Sequence, residues 1–382
     1  IGGGLIKNKK YTSYGRKALE KSMQKLVMED GTFSQYSVNY HRLLLDTINQ
    51  VEIWRRKLYL HQFSQKFYLK CQKAAEWMSC FIDPESGDAP NIGGNDGTYC
   101  FQFNDFNYRD YRSSLYLSSY LFNLKFGILD NYNNDEIFWL QIPKVISKGV
   151  KRFEKDCFFY RNFQAGGFVV IRNNKDTWAI LRLPKYKFRP SNSDPLHFDF
   201  WNKGKNLISD GGSYSYNVDS KNLNYFQGIR SHNSVEFDNS EPMPMISRFL
   251  FANWVQEFGD TLILEKPNEF LFSSSYRCAL GEHQREILVS NDSKRWEITD
   301  KVKGFKKHAI IRWNLYGNNW SLNKNKLYGE SVSIDIISES NNYKLTLENG
   351  WSSKKYLMKE RVTTLKVKVE ANPSTVKTII KV

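Results

Sequence analysis

The stretch GTFSQYSVNYHRLLLDTI, residues 31–48, decides how the first half of the chain is read. Ser37 is a preferred helix N-cap, and Tyr40, Leu43, Leu44, Thr47, Val51 and Trp54 recur at helical spacing. A helix is therefore expected to begin here, with those six residues as its apolar stripe. Its first turn carries an amide, a phenol and an imidazole in succession: Asn39, Tyr40 and His41. Residues two apart do not share a helix face, so Asn39 and His41 reach one ligand only where the helix starts.

Outward from this stretch, residues 16–156 read as helical. Leu19, Met23, Leu26 and Val27 form one stripe, and Phe63, Phe67, Leu69, Cys71, Ala74 and Met78 mark a helix over about 61–81. A Gly/Asp/Asn/Pro-rich loop, DPESGDAPNIGGNDG, interrupts the pattern after residue 82. Helical spacing returns at about 109–127 and near 134–148. Near residue 157 the period changes to two. GGFVVIR, TWAILRL, SVEFD, LILEK, REILVS, RWEITD, HAIIRWNLY, SVSIDIIS, YKLTLEN and TLKVKVE are short alternating runs separated by turn residues. Helices first and strands afterwards predict a segregated α+β chain ending in an antiparallel β-sandwich.

Composition bounds the partners. The chain has 382 residues, 41% of them hydrophobic and 15% aromatic, enough for two domains with real cores. Its net charge is +15, which favours an anionic partner. No zinc-finger spacing, RNP motif or helix-turn-helix accompanies that charge, so nucleic acid is not expected. No run of about 18 apolar residues exists, so no spanning helix is expected. Cys71, Cys80, Cys100, Cys157 and Cys278 show no pairing pattern, and Cys71 and Cys80 read as core thiols. The first residue is Ile1, so the lack of a leader-like segment does not decide the compartment.

Three further segments carry polar clusters: DPLHFDFW at 194–201, SDGGSYSYN at 209–217 and NYFQGIRSHNSVEFDN at 224–239. With SVNYH at 37–41 and PNIGGNDGTYCFQF at 90–103, they resemble the motifs of heparinase II/III-type polysaccharide lyases. The resemblance implies an N-terminal (α/α) toroid, here residues 1–156, followed by a β-sandwich domain, residues 157–382. About five helices are too few to close a toroid, so the toroid is expected to be incomplete. The implied activity is β-elimination on an acidic, uronate-containing polysaccharide, with no cofactor required. A periplasmic or secreted location fits that substrate class.

Such a reaction removes a weakly acidic proton α to a carboxylate and expels the 4-oxygen. Donors must first quench the carboxylate charge, after which a Tyr or His moves the proton. By resemblance, Asn39 and His41 would do the quenching. Tyr99 would handle the proton, with Tyr108 and Tyr111 as alternatives. His197 and His232 would complete the site from the strand-rich half, facing the first cluster across one groove. Asn95, Asp96, Tyr108, Arg109, Tyr111, Arg112, Asp194, Trp201 and Tyr214 are the expected substrate contacts. The arginines would bind sugar carboxylates bidentately. Strand alternation puts His197 and Asp199 on one face, with Phe198 and Phe200 on the other.

The chain also departs from the family pattern. Where the family often has HxHxD-x-L, alignment on Asp194 and Leu196 puts Pro190 and Asn192 at the two histidine positions. Asp210 and His232 match positions that hold a structural divalent metal in some relatives, with one expected ligand replaced by Asn192. The loss resembles the subgroup found in bacterial surface-polysaccharide gene clusters. His283 reads as a strand-surface residue, and His61 and His308 carry no motif. Two rival readings follow. One is a glycoside hydrolase using two of Glu29, Asp30, Asp96, Asp194 and Asp199. The other is a glycan-binding or assembly protein that kept the groove and lost the chemistry.

Overall fold

The computed structural model describes residues 1–100, 102, 107–130, 132, 135–142, 151–153, 160–172, 176–266, 269–290, 292–317, 319–340 and 342–382. The expected boundary at 156/157, Cys157 and residues 134 and 143–148 of the expected helix at 134–148 lie outside them. The chain forms two compact units. One comprises Ile1–Ala89, Gly97–Cys157 and Phe163–Gly166, the other Pro90–Asp96, Phe158–Asn162 and Gly167–Val382.

The first unit is built on helices Lys9–Leu26, Val38–Lys57, Gln65–Phe81 and Arg112–Leu121. Short helical turns at Gly2–Leu5, Gly127–Leu129 and Glu136–Trp139 and a two-stranded parallel pair, Leu124–Phe126 with Lys151–Phe153, are also present. Helix Val38–Lys57 starts as expected, because Ser37 Oγ accepts the backbone N–H of Tyr40 at 3.0 Å. Its buried face differs from the expected stripe. Leu43, Val51 and Trp54 are only half-buried and Thr47 is exposed, whereas Asn39, His41, Arg42, Asp46, Asn49 and Glu52 are buried. The helix turns a polar face inward because Arg112–Leu121 supplies partners for it. Ser114 Oγ donates to Asp46 at 2.6 Å, Ser118 Oγ donates to Asn49 at 2.9 Å, and Asn49 Nδ2 donates to the Ser114 carbonyl at 3.1 Å. No described helix is long and apolar enough to cross a membrane.

Among the described residues, the second unit holds two nine-stranded sheets. In one, strands Gly281–Ser290, Arg295–Lys303 and Ser374–Lys381 are central, paired in antiparallel register with Arg285 opposite Asp300. In the other, Phe168–Arg172, Thr177–Arg182, Phe198–Asn202, Lys205–Ile208, Ala309–Leu315 and Met358–Val369 follow one another across the sheet. Phe198, Phe200, Ile311, Trp313 and Val367 of one sheet and Phe272, Ile287, Val289, Trp296 and Ile380 of the other share a single apolar core. Burying large apolar side chains of this kind contributes about 1.5–3 kcal/mol each. Strand Gly281–Ser290 alternates buried and half-buried positions, the signature of a one-sided strand, whereas Ala309–Leu315 is buried throughout.

The loop 90–96 belongs to this second unit although it lies between helices in sequence. Asn91 Nδ2 donates to the Ser353 carbonyl at 2.8 Å, Asn95 N–H donates to Ser213 Oγ at 3.2 Å, and Ser213 Oγ donates to the Gly93 carbonyl at 3.0 Å. Gly212 permits this close approach. Its φ is +76°, and a Cβ there would stand 2.1 Å from Asn91 Nδ2.

Candidate active site

Within the helical unit, Asn39 sits at the first turn of its helix and Arg42 one turn on. The Asn39 Oδ1 accepts from Arg42 Nη2 at 2.8 Å and from the Tyr108 hydroxyl at 2.8 Å. Both acceptor positions being taken, the amide cannot be flipped, and its Nδ2 is buried with no partner among the described residues. Arg42 is fully buried. Its guanidinium also donates to the carbonyls of Tyr108 and Thr98 and lies 4.4–4.5 Å from the ring centres of Tyr99, Tyr108 and Tyr111. The Tyr99 and Tyr108 rings meet edge to face at 6.4 Å. Burial, reinforced by Glu136, raises the Tyr99 phenol above its ordinary value, so it stays protonated at neutral pH. Burial also pushes Asp46 up to about 6 against the pull of Ser114 and Arg42. Arg42 therefore stands out as a residue the sequence reading missed. Its signal was a cation in the first turns of a helix that tyrosines approach from far along the chain.

His41 is placed differently from expectation. Its ring is fully buried, stacked on Trp77 at 4.2 Å, with Nε2 bonded to the Ala74 carbonyl at 2.8 Å. Because Nε2 must donate to that carbonyl, the ring's role is to tie helix Val38–Lys57 to helix Gln65–Phe81. Burial lowers its pKa to about 4. A histidine depressed in the fold lowers stability as pH falls from its unfolded value of 6.5 through about 4. Replacing His41 by Gln is expected to remove that loss. In urea melts between pH 7 and pH 4 the variant's midpoint should fall less than the wild type's. Parallel curves would show that His41 is not the acid-sensitive group.

The remaining expected contacts of this unit are engaged within it. Arg109 is buried, donating to Asp88 at 2.7 Å, to Tyr111 Oη at 3.2 Å and to the Ala89 carbonyl. Arg112 holds Asp110 bidentately, at 2.9 and 2.7 Å. Both guanidiniums are thus committed to carboxylates of the protein, which corrects their expected role as sugar clamps, and Tyr111 is buried as Arg109's acceptor. Asp30 accepts the backbone N–H of Thr32 and of Gly166, and Glu29 pairs with Lys70 at 2.9 Å.

A second cluster lies in the strand-rich unit. His197 precedes strand Phe198–Asn202, and Asp199 follows on the same face while Phe198 and Phe200 enter the core, as alternation requires. His197 Nε2 lies 3.6 Å from Asp210 Oδ2 and 3.7 Å from Asp199 Oδ2. His232 Nδ1 donates to Asp210 Oδ2 at 2.8 Å, and its Nε2 lies 3.3 Å from Ser231 Oγ. Since Ser231 gives its own proton to the Phe226 or Gly228 carbonyl, its oxygen accepts from Nε2, and His232 carries both ring protons. The electrostatics agree. Burial pushes His232 down, but the charge and hydrogen bond of Asp210 hold it above its ordinary value. Burial pushes Asp210 up, but His232, His197 and the Gly212 N–H hold it below the usual carboxylate range. Asp199 is raised, by burial first.

Among the described residues, His197, Asp210 and His232 are the one group whose ligand atoms lie close enough to share a metal, within 4.8 Å. They do not fit one as placed. His197 Nδ1 accepts the Asn233 N–H at 3.0 Å, so Nε2 holds the ring proton, and both nitrogens of His232 are protonated. A divalent ion needs lone pairs at those atoms. As placed, Asp210 and His232 form an ion pair. Tyr214, an expected substrate contact, is half-buried. Its ring packs on Phe226 at 5.3 Å with Lys359 5.0 Å away.

Trp201 is buried, stacked on Trp178 at 5.1 Å, and donates to Asp199 at 2.6 Å, so it offers no sugar platform. Asp194 accepts from Tyr186 at 3.0 Å. Asn95 is buried in the loop that Ser213 holds, and Asp96 beside it is half-buried. His283 is fully buried, not on the strand surface, because Asp300 meets its Nε2 at 2.7 Å.

The chain thus comprises a helical unit and a two-sheet antiparallel unit that carries a His–Asp–His cluster. The heparinase II/III-like C-terminal profile matches residues 160–381, and the chain belongs to that family. Among solved structures it is similar to the heparan sulfate lyase HepC from Pedobacter heparinus, at 18% identity and a TM-score of 0.72, covering 98% of this chain and 56% of that one. It is similar to a heparinase III gene product at 16% identity and a TM-score of 0.74, covering 99% and 57%. A xanthan lyase from Paenibacillus follows at 11% and 0.53, covering 95% and 41%. The chain thus spans a little over half the length of the heparinases it matches. By sequence, no curated protein matches it.

Proposed function

We propose that the chain belongs to a polysaccharide lyase that cleaves an acidic, uronate-containing glycan by β-elimination, as in the surface-polysaccharide subgroup. Its helices would then be part of an (α/α) toroid. One observation carries this reading: the buried Asn39 amide whose oxygen is held by Arg42 and Tyr108 and whose NH2 is left to give. Such a fixed donor pair quenches a sugar carboxylate without reorganising. Tyr108 donates to Asn39 Oδ1 and keeps that amide aimed, while the proton α to the carboxylate passes to the Tyr99 oxygen as that phenol's own proton leaves. Tyr99, protonated, gives its own to the departing 4-oxygen. His41 positions the helix. His197 and His232 support the strand-rich unit, and no resident metal enters the scheme.

The test is ultraviolet absorbance from an unsaturated uronate when bacterial surface polysaccharides are incubated with the protein. Tyr99→Phe should reduce that signal by about 10²-fold or more, the scale of a lost general acid. Products that take up oxygen from heavy-oxygen water would show hydrolysis instead. A glycan-binding protein without turnover is the second reading, favoured by the complete burial of His41, His197 and His232. Glycan affinity with no product from any uronate-containing polymer would establish it.

A further inference from the structure

Three fully buried ionisable residues, His283, Arg285 and Asp300, lie between the two sheets and belong to no expected site. Strand alternation turns His283 and Arg285 inward together with Ile287 and Val289. Asp300 accepts from His283 Nε2 at 2.7 Å and from Arg285 Nε and Nη2 at 2.7 and 3.1 Å. That leaves Arg285 Nη1, which reaches out of its own sheet. It donates at 2.6 Å to two carbonyls, those of Leu196 and Asn233.

Those two carbonyls are the ones that set the His197 ring. Leu196 has a φ of +56°, a conformation that a leucine rarely adopts, and it immediately precedes His197. Asn233 supplies the N–H that occupies His197 Nδ1. The rest of Asn233 is clamped as well. Its Nδ2 donates to the carbonyls of Phe198 and Ser209 at 2.8 and 3.1 Å, and its Oδ1 accepts from Asn314 N–H at 2.6 Å. Arg285 therefore touches both ends of the arrangement that decides which His197 nitrogen carries the proton.

We propose that Arg285, braced by Asp300 and His283, is a positioning residue that acts across the core to lock His197 in its Nε2-protonated form. The locked ring presents an N–H, never a lone pair, toward Asp199 and Asp210. His197 is then a fixed donor that can serve neither as a base nor as a metal ligand through that atom. The inference concerns the ring proton alone. It stands or falls separately from the lyase reading.

The test is nuclear magnetic resonance of the full chain labelled with ¹⁵N in its six histidines, with His197→Asn used to assign the signal. The wild type at neutral pH should show His197 with its proton on Nε2. Arg285→Lys keeps a charge for Asp300 but cannot also serve both carbonyls. It should shift the His197 signal toward the other tautomer or a mixture. Should that variant fail to fold, the apolar pair Arg285→Met with Asp300→Leu leaves no orphaned charge between those two positions and gives the same readout. A wild-type ring protonated on Nδ1 would overturn the proposal. So would either folded variant with the wild-type His197 signal.

Discussion

Asn39→Asp is expected to lose eliminative turnover by 10³-fold or more, roughly the cost of one preorganised donor with added repulsion. The substitution is chosen for what it keeps. A carboxylate oxygen still accepts from Arg42 and from Tyr108, so the contacts at 2.8 Å survive and the helical unit should remain folded. What it removes is the amide NH2, the donor left over in the native arrangement. In its place stands a negative charge facing the negative charge that must be quenched. Asn39→Ala should lose less, about 10²–10³-fold, since it deletes the donor without adding repulsion. The measurement is kcat from ultraviolet absorbance, run beside a thermal melt. A folded Asn39→Asp protein with wild-type turnover removes this amide from the chemistry.

Asp210→Ala is expected to cost about 3–5 kcal/mol of stability, the usual consequence of stripping one partner from a buried ion pair. Asp210 is also hydrogen-bonded by the Gly212 N–H at 2.7 Å, so its loss orphans a charged imidazole and a backbone donor together. The pH dependence has a definite sign. Asp210 is held low, so its contribution is complete above the ordinary value of 3.8 and is lost as pH falls through the lower folded value. His232 is held high, so its contribution is complete below 6.5 and is lost as pH rises through the higher folded value. The difference between wild type and variant in denaturant melts should thus be greatest between about pH 3.8 and 6.5. A gap that keeps widening above pH 8 would show that His232 is neutral in the fold.

The strand-rich half was legible because alternation is a local property. VVIR, AILR, EILVS and IIRWNL all fall on strands, and the Phe198/Phe200 against His197/Asp199 split followed from a period of two. The start of helix Val38–Lys57 was legible for a similar reason, since Ser37 caps it locally. Its inner face was not. Periodicity looks for apolar stripes, and this helix buries Asp46 and Asn49 against serines 65–69 residues away and Arg42 against the Tyr108 carbonyl, 66 residues away. Local rules fail where a functional or polar network overrides them. The buried roles of Arg109 and His283 were not legible for the same reason. Their carboxylate partners, Asp88 and Asp300, are 21 and 17 residues distant, and pairing at that range leaves no mark on the local pattern.

The stitching of loop 90–96 into the strand-rich unit has a temporal side. Asn91 leaves the ribosome 262 residues before its acceptor, the Ser353 carbonyl. At translation speeds of about 5–20 residues per second, that is a wait of roughly 13–50 s. Throughout that interval the loop's acceptor does not yet exist, so the strand-rich unit cannot be completed from either end of the chain alone.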